Sequence, residues 1–182
     1  SASIQAAANI FELTTAQLET LQANAYYINV HSLNNMPGEI RGQITPVSTT
    51  LLRAELNGVS QTTPIKTTAN GKLYLSYNGD STLTVSGSFN NLSSALNTEL
   101  AGGIHLHFGI AGTNGGITII LNPTVSADNL SGVLYPEDNQ FSIDSVTRAA
   151  LLNRGLYVNV HSLENVPGEL RGQVLPLAKN YI

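Results

Sequence analysis

Three of the four histidines in this sequence are spaced so that they could bind a metal ion together. His105 and His107 stand two residues apart in GIHLHFG, and His161 ends the run YVNVH. Residues two apart in a strand share a face, so the first two histidines point together, and alternation places His161 opposite Val158 and Val160. If the two strands lie close, three imidazole nitrogens form a site of the kind that copper or zinc accepts.

A structural role for these histidines is the competing interpretation, in which they bond neighbouring strands or turns. His31 repeats the context of His161 without an H-x-H strand in its own segment, and no acidic or histidine cluster after His107 supplies a bridging ligand. We expect no enzyme activity, because the sequence holds no G-x-S-x-G context, no cysteine and no Gly-rich phosphate loop. No cofactor is therefore expected unless copper or zinc binds.

The segment that contains His161 occurs twice, as YINVHSLNNMPGEIRGQ at 27–43 and YVNVHSLENVPGELRGQ at 157–173. Residues 27–46 and 157–176 are identical at 14 of 20 positions. Each copy is predicted to be a hairpin whose Pro-Gly pair sets the loop. A Glu and an Arg share one face opposite the histidine, where a cross-strand Glu–His or Glu–Arg pair is expected. These positions form the predicted structural hairpin motif: His31, Pro37, Gly38, Glu39, Arg41, His161, Pro167, Gly168, Glu169 and Arg171.

The similarity continues upstream, where FELTTAQLETLQ (11–22) matches FSIDSVTRAALL (141–152) in pattern. Thr14 and Asp144 stand where helix N-caps are expected, so each copy is predicted to contain an apolar strand, a short helix and the hairpin. Only the second copy has a long β-patterned stretch before it, residues 50–140, which we call the front segment. The predicted organisation is a partial domain, a complete domain and a tail, at 1–48, 49–178 and 179–182.

Short alternating segments with Gly-rich turns fill the front segment and predict strands at 52–58, 71–77, 82–88, 103–109 and 117–121, the last of them buried. The fold class predicted is all-β, an antiparallel Greek-key β-sandwich or barrel with short helices. Strand parity predicts these core residues: Leu73, Leu75, Val85, Ile104, Leu106, Phe108, Ile119, Val158, Val160 and Leu170.

GIHLHFG followed by LYVNVHSLENVPGELRGQV resembles the CHRD domain, the module first described in chordin and widespread in secreted bacterial proteins. The resemblance covers roughly residues 50–178, and residues 8–46 look like the C-terminal third of a second domain. It implies a β-sandwich exposed outside the cell, and it implies no activity. The H-x-H strand and V-x-V-H strand are also loosely similar to copper/zinc superoxide dismutase, without that family's zinc loop.

Composition agrees with a secreted or cell-surface protein. Charged residues make up 11% of the chain, below the usual quarter, and the formal net charge of −4 offers no basic footprint for nucleic acid. No apolar run approaches the roughly 20 residues that span a bilayer. Asn91 and Asn129 begin glycosylation sequons, and the start at Ser1 without Met suggests a processed precursor.

The partial domain leads to the principal functional hypothesis. A hairpin without its front segment exposes a core face and open strand edges, which invite pairing with other chains. We therefore expect a non-enzymatic structural protein that associates with itself, head to tail, into a filament or surface layer by strand donation. The predicted donor, 1–13, is apolar at Ile4, Ile10 and Phe11. A CHRD module that binds a protein or glycan, and a histidine-ligated metalloprotein, are the alternatives.

Overall fold

The structure is a computed structural model, and it describes residues 9–23, 25–44, 50–79 and 81–177. The chain divides into two compact units, Ser1–Val47 and Ser48–Ile182. The predicted tail at 179–182 lies outside the described residues, as does Ile4. No helix among the described residues is long and apolar enough to cross a membrane.

The first unit contains one helix and one hairpin among its described residues. Helix α1 spans Thr15–Gln22 and begins at the predicted cap, where the Thr14 hydroxyl accepts the Gln17 N–H and the Gln17 side chain accepts the Thr14 N–H. Strands β1 (Tyr27–Ser32) and β2 (Asn35–Gln43) then pair antiparallel. The apolar strand predicted before the helix is not formed at residues 9–14.

The second unit is built around one antiparallel sheet. Its strands are β3 (Thr50–Asn57), β4 (Asn70–Tyr77), β5 (Thr82–Asn90), β6 (Ile104–Phe108), β7 (Ile117–Ile120), β8 (Thr124–Val125), β9 (Gly132–Leu134), β10 (Gln140–Ser142), β11 (Leu156–Val160), β12 (Leu170–Gln173) and β13 (Leu175–Pro176). The main path runs β7-β6-β11-β12-β3-β4-β5-β9-β8, while β10 pairs with β5 and β13 with β3. The all-β antiparallel prediction is confirmed.

The second hairpin, formed by β11 and β12, has its neighbouring strands in the front segment. Strand β11 pairs with β6 on one side and β12 on the other, and β12 in turn meets β3. The second hairpin therefore lies in the middle of the sheet, with strands of the front segment on both flanks. The first hairpin forms a separate two-stranded sheet among the described residues.

Helix α2 (Ser145–Leu152) confirms the predicted repeat of the short helix. The Asp144 side chain accepts the Thr147 N–H at 2.7 Å, which satisfies one of the free donors of the first turn. Leu151 is fully buried and belongs to the core cluster. The helix thus covers part of the core that the sheet surrounds.

The apolar core follows the predicted parity with two corrections. Eight of the ten predicted core residues are buried, whereas Phe108 and Ile119 are only partly buried and pack against the cluster. The strand predicted as buried at 117–121 is instead an edge strand over most of its length. Ile117 and Ile120 are 45% and 47% exposed because β7 has a partner on one side only among the described strands.

Candidate metal centre

Three histidines meet on the face of the sheet opposite the apolar core. In the β6–β11 register, Asn159 lies opposite His105 and Tyr157 lies opposite His107, while Val158 and Val160 face Leu106 and Ile104. His161 follows β11 and keeps the parity of Asn159. The face was predicted to lie outside the core, and it does, but it is also covered: the three histidines are buried.

The geometry of the cluster is compact. One ring nitrogen of each of His105, His107 and His161 can be chosen so that all three atoms lie within 4.8 Å of one another. The ring centroids of His105 and His161 are 5.0 Å apart, and those of His105 and His107 are 5.4 Å apart. The structure therefore brings together the three residues that the spacing selected.

In each of the three rings, one nitrogen is hydrogen-bonded to a backbone carbonyl. His105 donates from Nε2 to the carbonyls of Leu100 (2.9 Å) and Ala101 (2.8 Å). His107 donates from Nδ1 to Gly115 at 3.0 Å. His161 donates from Nδ1 to Val166 at 2.7 Å. A carbonyl can only accept, so each of these nitrogens carries the proton, and the other nitrogen of each neutral ring carries a lone pair.

The second nitrogen of each ring is left without a partner. His105 Nδ1, His107 Nε2 and His161 Nε2 are buried and have no hydrogen-bond partner. Buried polar atoms are nearly always satisfied, and three acceptors cannot satisfy each other. A cation that accepts three lone pairs would satisfy them, and the carbonyls on the other nitrogens are support of the kind that metal-binding histidines usually have.

Burial favours the neutral form of two of these rings, His107 and His161. Burial lowers the pKa of His161 to about 4, and the neighbouring His105 and His107 contribute to that shift, against the Val166 carbonyl. Burial likewise lowers the pKa of His107, with smaller contributions from His105 and Arg171. A neutral imidazole is the form that binds metal, so burial leaves His107 and His161 in the form that a cation would require.

An aromatic and charged layer lies beside the cluster. The Tyr157 ring stacks on His107 with centroids 4.9 Å apart. The Arg171 guanidinium lies 3.5 Å from the centroid of the Tyr157 ring. Arg171 is 2% exposed, and it donates to the Thr113 carbonyl at 2.6 Å and to Asn114 at 3.1 Å. These contacts hold the loop after β6 against the hairpin.

Glu169 does not make the predicted cross-strand pair with His161 or Arg171. Its carboxylate accepts the Thr67 hydroxyl at 2.6 Å, and the N–H and hydroxyl of Ser93 at 2.9 Å each. Arg171 lies opposite Asn159 in the β11–β12 register and turns toward the loop after β6. Both charged residues therefore bind the front segment rather than each other.

The groups that support the cluster were not predicted to do so. The carbonyls of Leu100, Ala101 and Gly115 carry no side-chain signal, and their position depends on how the turns fold. Tyr157 and Arg171 did have a signal, because the repeat preserves both as Tyr27 and Arg41. In the first unit the Arg41 guanidinium lies 3.6 Å over the Tyr27 ring, the same contact in a second place.

The remaining predicted site residues lie apart from this cluster. The loop glycines Gly38 and Gly168 adopt φ of +125° and +126°, as the predicted role of the Pro-Gly pair requires. In the predicted donor segment, Ile10 is 80% exposed and Phe11 is 75% exposed. The sequon residues Asn91 and Asn129 are both exposed.

Comparison with known proteins assigns the chain to a family. The model of the CHRD domain matches residues 2–44 and 52–174, which covers most of the chain and both of its repeat copies. No curated protein matches the chain. CHRD is a non-catalytic domain family whose members occur in extracellular proteins. By its fold, its repeated hairpin and this match, the chain belongs to the CHRD domain family.

Proposed function

We propose that the complete domain binds one copper or zinc ion through His105, His107 and His161, so that the chain is a metal-binding module of extracellular type. The observation that carries the proposal is a cluster of three buried histidines in which one nitrogen of each ring lies within 4.8 Å of the others and one nitrogen of each ring has no hydrogen-bond partner. Each ring is held in one tautomer by a carbonyl. Burial lowers the pKa of His107 and His161, which disfavours the protonated form that would repel a cation.

The ligand chemistry narrows the choice of metal. Imidazole suits copper, zinc, iron and nickel, whereas calcium and magnesium prefer carboxylate and carbonyl oxygens. The cluster consists of histidines alone among the described residues, and no carboxylate joins it. Three neutral ligands leave a fourth position of a tetrahedral ion open. We therefore expect copper or zinc in preference to a hard cation.

Metal titration of the full chain tests this proposal. We expect the metal-free chain to bind one zinc or copper ion per molecule in calorimetry, with the same stoichiometry by elemental analysis after dialysis. The variant His161→Ala should lose this binding, and His105→Ala should do the same. The matched control is His31→Ala, which changes the equivalent histidine of the other copy and should bind as the parent does. Equal binding by the His161→Ala variant and the parent would refute the site.

Self-association through the first unit is a second candidate, favoured by the exposure of its hairpin. Ile28, Val30 and Ile40 are 52%, 50% and 65% exposed, and β1 and β2 pair only with each other among the described strands. Open edges beside apolar side chains favour strand pairing with another molecule, which in repeated form gives a filament. Binding of a protein or glycan ligand is the function that the family alone supports, and a glycan array tests it.

A further inference from the structure

We infer that the β1–β2 hairpin of the first unit is one half of a second three-histidine metal site. The other half is a strand with two histidines two residues apart, carried by the front segment of another CHRD domain. This inference rests on the metal site proposed for the complete domain. It goes beyond that site because it assigns His31 a ligand role and states the chemistry of the partner that covers the hairpin.

The first hairpin already holds its histidine as the second hairpin does. His31 donates from Nδ1 to the Met36 carbonyl at 2.6 Å, as His161 does to Val166 at 2.7 Å. The Asn29 amide donates to the Pro37 carbonyl at 3.1 Å, the equivalent of the bond from Asn159. The carbonyl leaves the lone pair of His31 on Nε2, the atom that in His161 is buried without a hydrogen-bond partner.

The charged residues of the first hairpin indicate what should cover it. In the second unit, the partners of Glu169 include Thr67 and Ser93, and those of Arg171 are Ile110, Thr113 and Asn114, all in the front segment. The equivalent Glu39 and Arg41 are exposed. A purely apolar partner surface would leave both charges buried without hydrogen bonds, which is costly, so the fitting partner carries the same polar groups.

A glycine gives an independent sign of a missing strand. A Cβ added at Gly172 would lie 2.5 Å from the Glu55 carbonyl oxygen of β3, so only glycine lets β3 approach β12 there. The equivalent Gly42 has nothing within 4 Å of an added Cβ. Glycine weakens a strand interior unless another backbone comes close. Gly42 is therefore suited to a β3-like strand that lies against β2.

This chain contains no second pair of histidines two residues apart. Its four histidines include one H-x-H pair, His105 and His107, on β6, and that strand already pairs with β11. Residues 1–8 and 45–49 contain no histidine. The occupant is thus a front segment from outside this sequence, with a β6-like strand against β1 and a β3-like strand against β2.

An extended chain tests whether a front segment completes the site. A second copy of residues 50–140 replaces residues 1–10, so that its end joins Phe11 as residue 140 joins Phe141. We expect zinc stoichiometry to rise from one ion per chain to two. In the extended chain, His31→Ala should return the stoichiometry to one, and His161→Ala should also leave one. Amide exchange of Tyr27–Ser32 should slow by about 100-fold as β1 gains a strand partner.

The results distinguish failure of the half-site from failure of the metal site proposed for the complete domain. If the extended chain binds one ion that His161→Ala removes, the site of the complete domain stands and the half-site is refuted. Unchanged amide exchange in β1 also refutes it, because the front segment then fails to cover the hairpin. If amide exchange of β1 in the original chain slows as the concentration rises, and no second ion binds, a second molecule of this chain covers the hairpin and the half-site is refuted. Binding of no ion by either chain refutes both.

Discussion

The guanidinium of Arg171 lies 3.5 Å over the ring of Tyr157, and that ring in turn stacks on His107. A charged residue of the hairpin thus connects, through one aromatic ring, to the histidine cluster. The loop after β6 takes part as well, because the Gly115 N–H donates to the Tyr157 hydroxyl and the Gly115 carbonyl accepts from His107. The hairpin, the loop and the cluster should therefore respond together to substitutions.

Replacement of Arg171 should destabilise the second unit. Arg171→Ala removes a buried side chain that donates to Ile110, Thr113 and Asn114, and leaves those acceptors without their donor. We expect the free energy of unfolding to fall by about 2–4 kcal/mol. Urea denaturation followed by tyrosine fluorescence measures it. Arg41→Ala is the matched control, and its exposed side chain predicts a change within about 0.5 kcal/mol. Equal losses in the two variants would contradict the structure.

Glu169→Gln should remove a pH-dependent contribution to stability. Burial raises the pKa of this carboxyl, but hydrogen bonds from Ser162, Thr67 and Ser93 outweigh burial and hold it below the ordinary 4.5. A lowered pKa stabilises the fold above the unfolded value, and the contribution is lost as pH falls below 4.5 toward the folded value. At pH 7 the variant should be less stable by about 1–3 kcal/mol, because its amide faces donors.

The pH dependence of the unfolding free energy tests whether the charge of Glu169 stabilises the fold. The difference in unfolding free energy between parent and Glu169→Gln should shrink as the pH falls from 5 toward 3. Thermal denaturation at several pH values measures the difference. Glu39→Gln changes the exposed equivalent in the first unit and should leave the profile of the parent unchanged. A difference that stays constant through this pH range would show that the charge of Glu169 does not stabilise the fold.

Metal should stabilise the second unit by an amount that grows with the logarithm of the free metal concentration once the site is nearly full. A ligand that binds only the folded state at 100 times its dissociation constant adds about 2.7 kcal/mol to the free energy of unfolding. We expect zinc to raise the melting temperature of the metal-free chain and a chelator to reverse the increase. His161→Ala should show no such response, while His31→Ala should respond as the parent does. An equal response from His161→Ala would place the ion elsewhere.

The sequence could predict which side chains share a face, because strand parity is a local property. Alternation alone placed His105 and His107 together and put Leu106 into the core. Parity cannot say what covers the other face, so the burial of the histidines was not predicted. The carbonyls of Leu100 and Gly115 come from turns whose course depends on the whole sheet.

Two errors have a common physical cause, the position of a strand within the sheet. Residues 117–121 are apolar enough to suggest a buried strand, but composition does not distinguish a central strand from an edge. Glu169 was expected to pair with His161 or Arg171, whereas β12 lies next to β3 and the Glu169 carboxylate accepts hydrogen bonds from Thr67 and Ser93. Both outcomes depend on contacts between residues far apart in sequence.

If the first unit mediates self-association, as the second candidate function holds, its removal should abolish self-association and leave the second unit folded. The apolar residues of the hairpin and of 9–14 are exposed, while the second unit has its own core of buried residues. A chain that lacks residues 1–48 should therefore sediment as a monomer with unchanged strand content by circular dichroism. The intact chain should form larger species as its concentration rises, which analytical ultracentrifugation and electron microscopy can detect.

Point substitutions locate the contact within the first unit. Ile10→Asp together with Phe11→Asp should weaken assembly, because burying either new carboxylate in an apolar interface is costly. The melting temperature of the second unit should stay the same.

Val146→Asp is the matched control: Val146 is 64% exposed on α2, so a charge there alters an exposed apolar residue of the second unit. If the control weakens assembly as much as the double variant, general surface charge controls association. If the intact chain remains a monomer at high concentration, self-association through the first unit is wrong, and the chain acts as a binding module.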